Sequence, residues 1–230
     1  MDAKYDILGE LSMLEIDARE LGRQLAKPTG ATGVMVSNQM NESNVGIYEL
    51  TFGLLSIENG SNILEIGIGN GNHLKDYFKK NGSIQLFGLD ISEIMVKIAK
   101  EINGEFINDK LLQIICEDSK SMTFKNEMFD SVVCVNAIYF WENLYEQLRE
   151  LWRVLKNGGQ LYLGFRPKSK MQNLEFVKEK FTLYEAADVK EQLILAGFNV
   201  LNVEQKEVER MSVDGKLVKT IDICIVSEKN

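Results

Sequence analysis

Three glycines alternate at Gly67, Gly69 and Gly71. An acid, Glu65, precedes them by two residues, and a helix-like pattern starts directly behind them at Asn72. Glycine at such a bend lacks a Cβ and tolerates positive φ, so a ligand can lie against bare backbone. A helix start behind the bend adds unpaired N–H groups. The residues in front, Ile63–Ile66, read as a strand. A second strand-like run, Leu86–Leu89, leads into Asp90, and a third, LLQIICEDS, reaches Asp118. One acid at a strand end is an ordinary cap; three in succession form a set. The dinucleotide fingerprint is G-x-G-x-x-G, but here the third glycine comes one residue early and Asn72 takes the sixth position. The carboxylate of Glu65 suits a cationic group and repels a pyrophosphate. An acid about 20 residues past the loop can accept both hydroxyls of a ribose. The pattern points to a nucleoside carrying positive charge. S-adenosylmethionine, with its sulfonium and ammonium, fits it better than NAD.

Five blocks then follow in order: ILEIGIGNG, GLDIS, CEDSKSMTF, FDSVVCVNAIYFWEN and LWRVLKNGGQLYLGF. On these, residues 63–165 resemble the class I S-adenosylmethionine-dependent methyltransferases, in the small-molecule group called methyltransferase type 11. The flanks, 1–62 and 166–230, match less sharply. The resemblance implies methyl transfer to a small or medium-sized metabolite. It assigns Gly67, Gly69 and Gly71 to close approach of the methionine portion. Glu65 would orient the loop or, through water, the cofactor ammonium. Asp90 would take the ribose hydroxyls, with Ile91 packed on the adenine. Asp118 would receive the adenine amino group beside a backbone contact from Ser119, and Asn136 would face the methionine end and the acceptor. Two other readings stay open: a non-catalytic module that binds S-adenosylmethionine or a protein, and an NAD-dependent oxidoreductase.

Displacement at a carbon already activated by a sulfonium needs alignment more than a base. Weak candidates for a catalytic role are Asn136, Tyr139 and His73. His73 is the sole histidine; it reads as a surface or capping residue, with a base as the alternative. Tyr139, Phe140 and Trp141 suit either the wall of an acceptor pocket or the core. Glu142 reads as a solvated acid at a helix start. Arg166, Lys168 and Lys170 read as a solvated cluster, with attraction of an acidic substrate as the alternative. Met35 and Met40 are packing residues or ligand contacts. Cys116, Cys134 and Cys224 lack metal spacing and read as small buried hydrophobes, so no metal is expected.

Strands alternating with helices imply an α/β fold, a doubly wound and mostly parallel sheet with helices on both faces. The resemblance implies seven strands in the order 3-2-1-4-5-7-6, the last antiparallel. Helical runs are expected at Val45–Ile57, at 72–80, behind the N-cap Ser92, at Asn143–Lys156 and at Ala186–Ala196. Asn157-Gly158-Gly159 would end the fourth of these. Strands at Leu112–Cys116, Ser131–Val135 and Leu161–Phe165 complete the parallel part. Phe198–Val208 and Lys219–Ser227 would pair across a turn at Asp214-Gly215.

Ahead of the sheet, residues 5–26 carry an apolar seam at Ile7, Leu11, Leu14, Ala18, Leu21 and Leu25. It packs the helix on its own domain or pairs two copies, giving a monomer or a homodimer. Lys27–Asn44, rich in Gly, Ser, Thr and Asn, reads as a loop or closing lid with room for one short helix, or as a plain linker. The chain therefore divides into N-terminal helices and lid, 1–57, and a cofactor-binding domain, 58–230. With 230 residues and 45% hydrophobic content, one domain with elaborations is expected. A net charge of −8 and a pI near 4.9 disfavour a nucleic-acid surface. No apolar run reaches the ~18 residues of a membrane span, and MDAKYDILGE lacks the basic start of a signal peptide. A cytoplasmic protein is the expectation.

Overall fold

Near-continuous apolar runs of strand length place the sheet at the centre of the molecule. The computed structural model describes residues 16–211 and 217–230, and of residues 210 and 211 the backbone only. The strands are β1 (Asn62–Ile66), β2 (Gln85–Asp90), β3 (Leu112–Cys116), β4 (Phe129–Val135), β5 (Leu155–Phe165), β6 (Phe198–Met211) and β7 (Leu217–Lys229). They form one seven-stranded sheet in the order β3-β2-β1-β4-β5-β7-β6. The first five are parallel, and β7 runs antiparallel to both β5 and β6. The chain winds outward from β1 to β3, then returns to lay β4 on the other side of β1. That reversal opens a crevice beyond the carboxyl ends of β1 and β4, the usual ligand position in such sheets.

Nine α-helices are described: α1 (Ala18–Ala26), α2 (Gly30–Ser43), α3 (Val45–Leu54), α4 (Lys75–Lys80), α5 (Glu93–Ile102), α6 (Gly104–Asn108), α7 (Leu144–Val154), α8 (Lys168–Met171) and α9 (Ala186–Leu195). Side chains alternate across a strand, and both faces of this sheet are covered. Leu64, Ile66, Val132, Cys134, Leu161 and Leu163 pack with Leu148, Leu151, Val189 and Leu193 under α7 and α9. Ile63, Val133, Val135, Tyr162 and Cys224 pack with Ile47, Tyr77, Val96 and Ala99 under α3, α4 and α5. The alternation sends Glu65 to the same face as Ile63, beneath α3 and α4. As read from the sequence, Ser92 caps α5, its hydroxyl accepting from the Met95 amide.

Several expectations fail locally. Lys27–Asn44 is no loop: fourteen of its residues form α2. Its low helix propensity is overridden by packing, because Val36, Ser37 and Gln39 are buried and Gly33 lets the helix lie on Pro28 and Gln24. The helix expected to stop at 157–159 stops at Val154, where Leu155, fully buried, turns extended and pairs with Phe129. Gly158, at φ +74, then bends the start of β5. Cys116 is exposed, because it ends the edge strand β3; Cys134 and Cys224 are buried as expected. The apolar seam at Ile7, Leu11 and Leu14, and the turn at Asp214-Gly215, lie outside the described residues; the strands flanking that turn pair down to Met211 and Leu217.

Candidate functional site

The three alternating glycines serve three different purposes. All have positive φ: +76 at Gly67, +54 at Gly69 and +70 at Gly71. A Cβ on Gly67 would meet the Ala137 methyl at 2.9 Å, and one on Gly71 the Ala99 methyl at 2.8 Å. Gly69 alone has open space in front of it. Gly67 and Gly69 line a cavity of about 1200 Å³ at the ends of β1, β2 and β4; Gly71 stands behind the loop, against α5. The helix expected directly after the loop is displaced, since residues 72–74 form turns and the short α4 begins only at Lys75.

Asp90 holds the loop. Its Oδ2 accepts from the Gly69 amide at 2.8 Å and its Oδ1 from the Ser92 amide at 2.9 Å. The carboxyl is buried yet borders the cavity. Burial pushes its pKa up to about 6, with the Ser92 and Gly69 amides opposing. Ile91, 41% exposed, presents apolar surface to the same cavity, and Asp118 and Ser119 close it on the β3 side. Asp118 Oδ1 accepts from the Lys120 amide, and the Ser119 carbonyl accepts from Gln147 at 2.7 Å.

Glu65 is not on the wall. It is fully buried, and its Oε1 bonds to His73 Nε2 at 2.8 Å and accepts from the Tyr48 hydroxyl at 3.1 Å. His73 and Tyr48 stack, with ring centroids 4.2 Å apart, and both line the cavity. Thus His73 is neither a surface nor a capping residue. Glu65 Oε2 and the Tyr77 hydroxyl are buried without hydrogen-bond partners. Burial and the Glu65 charge hold both tyrosine hydroxyls well above their ordinary pKa.

Asn136, at the end of β4, adopts φ +55, a left-handed conformation uncommon outside glycine. Its Nδ2 donates to Asn44 at 3.0 Å, and its Oδ1 accepts from the Tyr139 hydroxyl at 3.1 Å. Burial raises the Tyr139 phenol above its ordinary pKa, so it stays protonated. The Arg166 amide donates to the same hydroxyl.

Arg166 is not solvated either. Its Nε donates to Asp222 at 2.9 Å and its Nη2 to the Ser43 carbonyl at 2.7 Å, with Nη1 3.3 Å from Asn44. Lys168 and Lys170 are exposed as expected. Sequence reasoning missed Tyr48, Asn44 and Asp222. Only Asp222 carried a readable signal: it interrupts the apolar run of β7, and a buried acid there requires a cationic partner.

The sheet order, the bare loop and the two carboxylates at the carboxyl edge place the fold among Rossmann-like methyltransferases. The family model described as methyltransferase domain matches residues 64–163. Residues 64–163 thus form a methyltransferase domain of the class I S-adenosylmethionine-dependent kind. This methyltransferase is 26% identical over 170 residues to the uncharacterized methyltransferase YdaC of Bacillus subtilis, covering 74% of this chain and 89% of that one. It is 30% identical over 160 residues to an uncharacterized protein of Methanocaldococcus jannaschii, covering 64% and 71%. A solved S-adenosylmethionine-dependent methyltransferase of Methanosarcina mazei shares the fold at TM-score 0.60 and 18% identity, covering 75% and 94%. The methyltransferase is thus an enzyme whose cofactor is S-adenosylmethionine, which sets the oxidoreductase aside. Its residues fit that cofactor: Gly69 opens on empty space, and Asp90 brings a buried carboxylate to the wall. Among the described residues, no helix is long and apolar enough to cross a membrane.

Proposed function

We propose that this methyltransferase methylates a small or medium-sized metabolite by in-line displacement, chiefly by positioning it. When bound, the cofactor supplies a methyl group on a sulfonium, already activated toward a nucleophile. The observation that carries the proposal is one continuous cavity, running from Gly69 and Asp90 past Asn136 to Phe140 and Phe181. Its volume, about 1200 Å³, exceeds the roughly 300–1,000 Å³ that one drug-sized ligand occupies. Two molecules therefore fit end to end, and good alignment of the reacting pair is worth about 7–11 kcal/mol of barrier.

Asp90 is proposed to accept the ribose hydroxyls on lone pairs its two amide bonds leave free. Ile91 lies against the adenine, with Asp118 and Ser119 at its edge. His73 stands between Glu65 and the cavity, so Glu65 acts on the cofactor ammonium through that ring. Asn136, with both ends of its amide committed, is a fixed wall beside the methyl. Tyr139, held protonated by burial, is no base. The N-terminal segment through residue 57 and the domain from 58 onward are proposed to close on the substrates together. Titration calorimetry with S-adenosylhomocysteine, followed by turnover on a metabolite mixture, tests the reading. Binding without any turnover supports the non-catalytic module instead, and no binding at millimolar ligand removes both.

A further inference from the structure

Beyond Asn136 the cavity runs under a roof made from both flanks of the chain. One side is α1; the other is the segment after α8, residues 172–181. They meet where Gly22 lies on the Phe176 carbonyl, so close that a Cβ would stand 2.4 Å from the oxygen. Leu21, Leu25, Met40, Leu174, Phe176 and Phe181 line this outer chamber. All six lie outside residues 64–163, the stretch matched by the family model. The chamber is thus built mainly from the flanks, with Phe140 and Tyr139 added from within the matched stretch.

Its chemistry is aromatic. Phe181 meets Phe140 edge-to-face at 4.7 Å and Phe176 at 5.7 Å, and lies tilted on Tyr139 at 5.6 Å. Phe140, Phe176 and Phe181 are only half-buried, so ring surface stays uncovered on a wall of the cavity. Aromatic rings so arranged favour another ring, stacked or edge-on. The buried polar groups Arg166 and Gln24 are already committed. Arg166 is neutralised by Asp222 and donates to Ser43 and Asn44. The buried Gln24 amide is taken up by Glu20 and Thr29. The charged side chains at this end, Glu142, Glu175 and Lys180, stand on the cavity's solvent-exposed rim, where water screens them.

We propose that the chamber binds a neutral, ring-bearing, mostly apolar molecule of medium size, and that this molecule is the methyl acceptor. Naming it the acceptor rests on the methyl-transfer reading above. A small ammonium or carboxylate metabolite would lose water against the aromatic wall and meet only water-screened charges at the rim.

The test is calorimetry on the full chain saturated with S-adenosylhomocysteine, titrated in turn with 2-naphthol, 2-naphthoate and 2-naphthylmethylamine. We expect 2-naphthol to bind and both ions to bind roughly tenfold more weakly or worse. Phe181→Ala should weaken 2-naphthol about fivefold or more, leaving S-adenosylhomocysteine affinity unchanged. Leu25→Glu places a carboxylate in the chamber. It should weaken 2-naphthol and strengthen the amine, and retained S-adenosylhomocysteine binding would certify its fold. Wild-type preference for either ion, no 2-naphthol binding at millimolar levels, or an unmoved preference in Leu25→Glu overturns the proposal. Failure of S-adenosylhomocysteine alone defeats the methyl-transfer reading, while titrating 2-naphthol into the cofactor-free protein still reports on the chamber.

Discussion

At the residue scale, Asp90 makes the sharpest pH prediction. Its folded pKa of about 6 lies above the ordinary aspartate value because burial disfavours the charged form. Between about pH 4 and 6 the folded protein holds a proton that the unfolded chain has released. Stability from this group is therefore present at the acid end and lost as pH rises through 6, about 3 kcal/mol in all. Cofactor binding runs the other way, because the ribose hydroxyls need an ionised acceptor. The dissociation constant of S-adenosylhomocysteine should rise about tenfold per pH unit below 6, measured by calorimetry. Asp90→Asn should flatten that slope and weaken binding at pH 7.5 at least tenfold, about 1.4 kcal/mol; a slope surviving in the variant refutes the assignment. His73 offers a second comparison. His73→Phe keeps the ring stacked on Tyr48 but breaks the link from Glu65. It should weaken S-adenosylhomocysteine about tenfold and leave 5′-methylthioadenosine, which lacks the amino-acid tail, untouched. Equal losses for both ligands would mean that His73 acts through the loop and not through the ammonium.

At the element scale, Arg166 and Asp222 tie three parts of the chain together. Arg166 follows β5, Asp222 lies in β7, and the guanidinium also holds the Ser43 carbonyl at the end of α2. Both side chains are nearly inaccessible, 7% and 1% exposed. Breaking such a pair leaves a bare buried charge, at a cost of about 3–5 kcal/mol, whereas replacing both partners with apolar residues is often neutral. Arg166→Met should lower the urea midpoint strongly, and Arg166→Met with Asp222→Leu should recover most of it. If the double variant is no better than the single, the ion pair is not the source of the loss. The glycine loop divides in the same manner. Gly71→Ala, with the Ala99 methyl at 2.8 Å, should be lost mainly as stability. Gly69→Ala shares the strain of a positive φ but meets no atom, so its further loss should fall on cofactor affinity. Thermal melts and calorimetry on the pair separate the two effects.

Across the whole molecule, the cavity is walled by strand ends from the sheet and by both chain flanks, α1 with α2 on one side and residues 171–181 on the other. A ligand bound there touches parts far apart in sequence, so its binding energy should appear as global stability. At about a hundred times its dissociation constant, S-adenosylhomocysteine should add about 2.7 kcal/mol. For a domain of this size that means a melting temperature higher by about 5–10 °C. Binding with no thermal shift would place the cofactor outside this cavity.

Taken alone, the sequence determined the sheet and most of what stands at its edge. Short, mainly apolar runs at Ile63–Ile66 and Ser131–Val135, glycines spaced by two and acids at the ends of successive strands are local signals, and local signals survive in one dimension. That is why the N-cap at Ser92 and the carboxylate at the end of β2 were legible before any coordinates, whereas the strand order came from the resemblance alone. Only the tertiary structure decided what met what. It turned residues 30–43 into a helix, because packing on Pro28 and Gln24 outweighs the poor propensity of Gly, Ser and Asn. It put Glu65 behind His73, because alternation fixes the face of a strand while the helices covering that face choose the partner. It closed Arg166 on Asp222, 56 residues away along the chain. Contacts of that range depend on the folded path and leave no mark in the spacing of either residue.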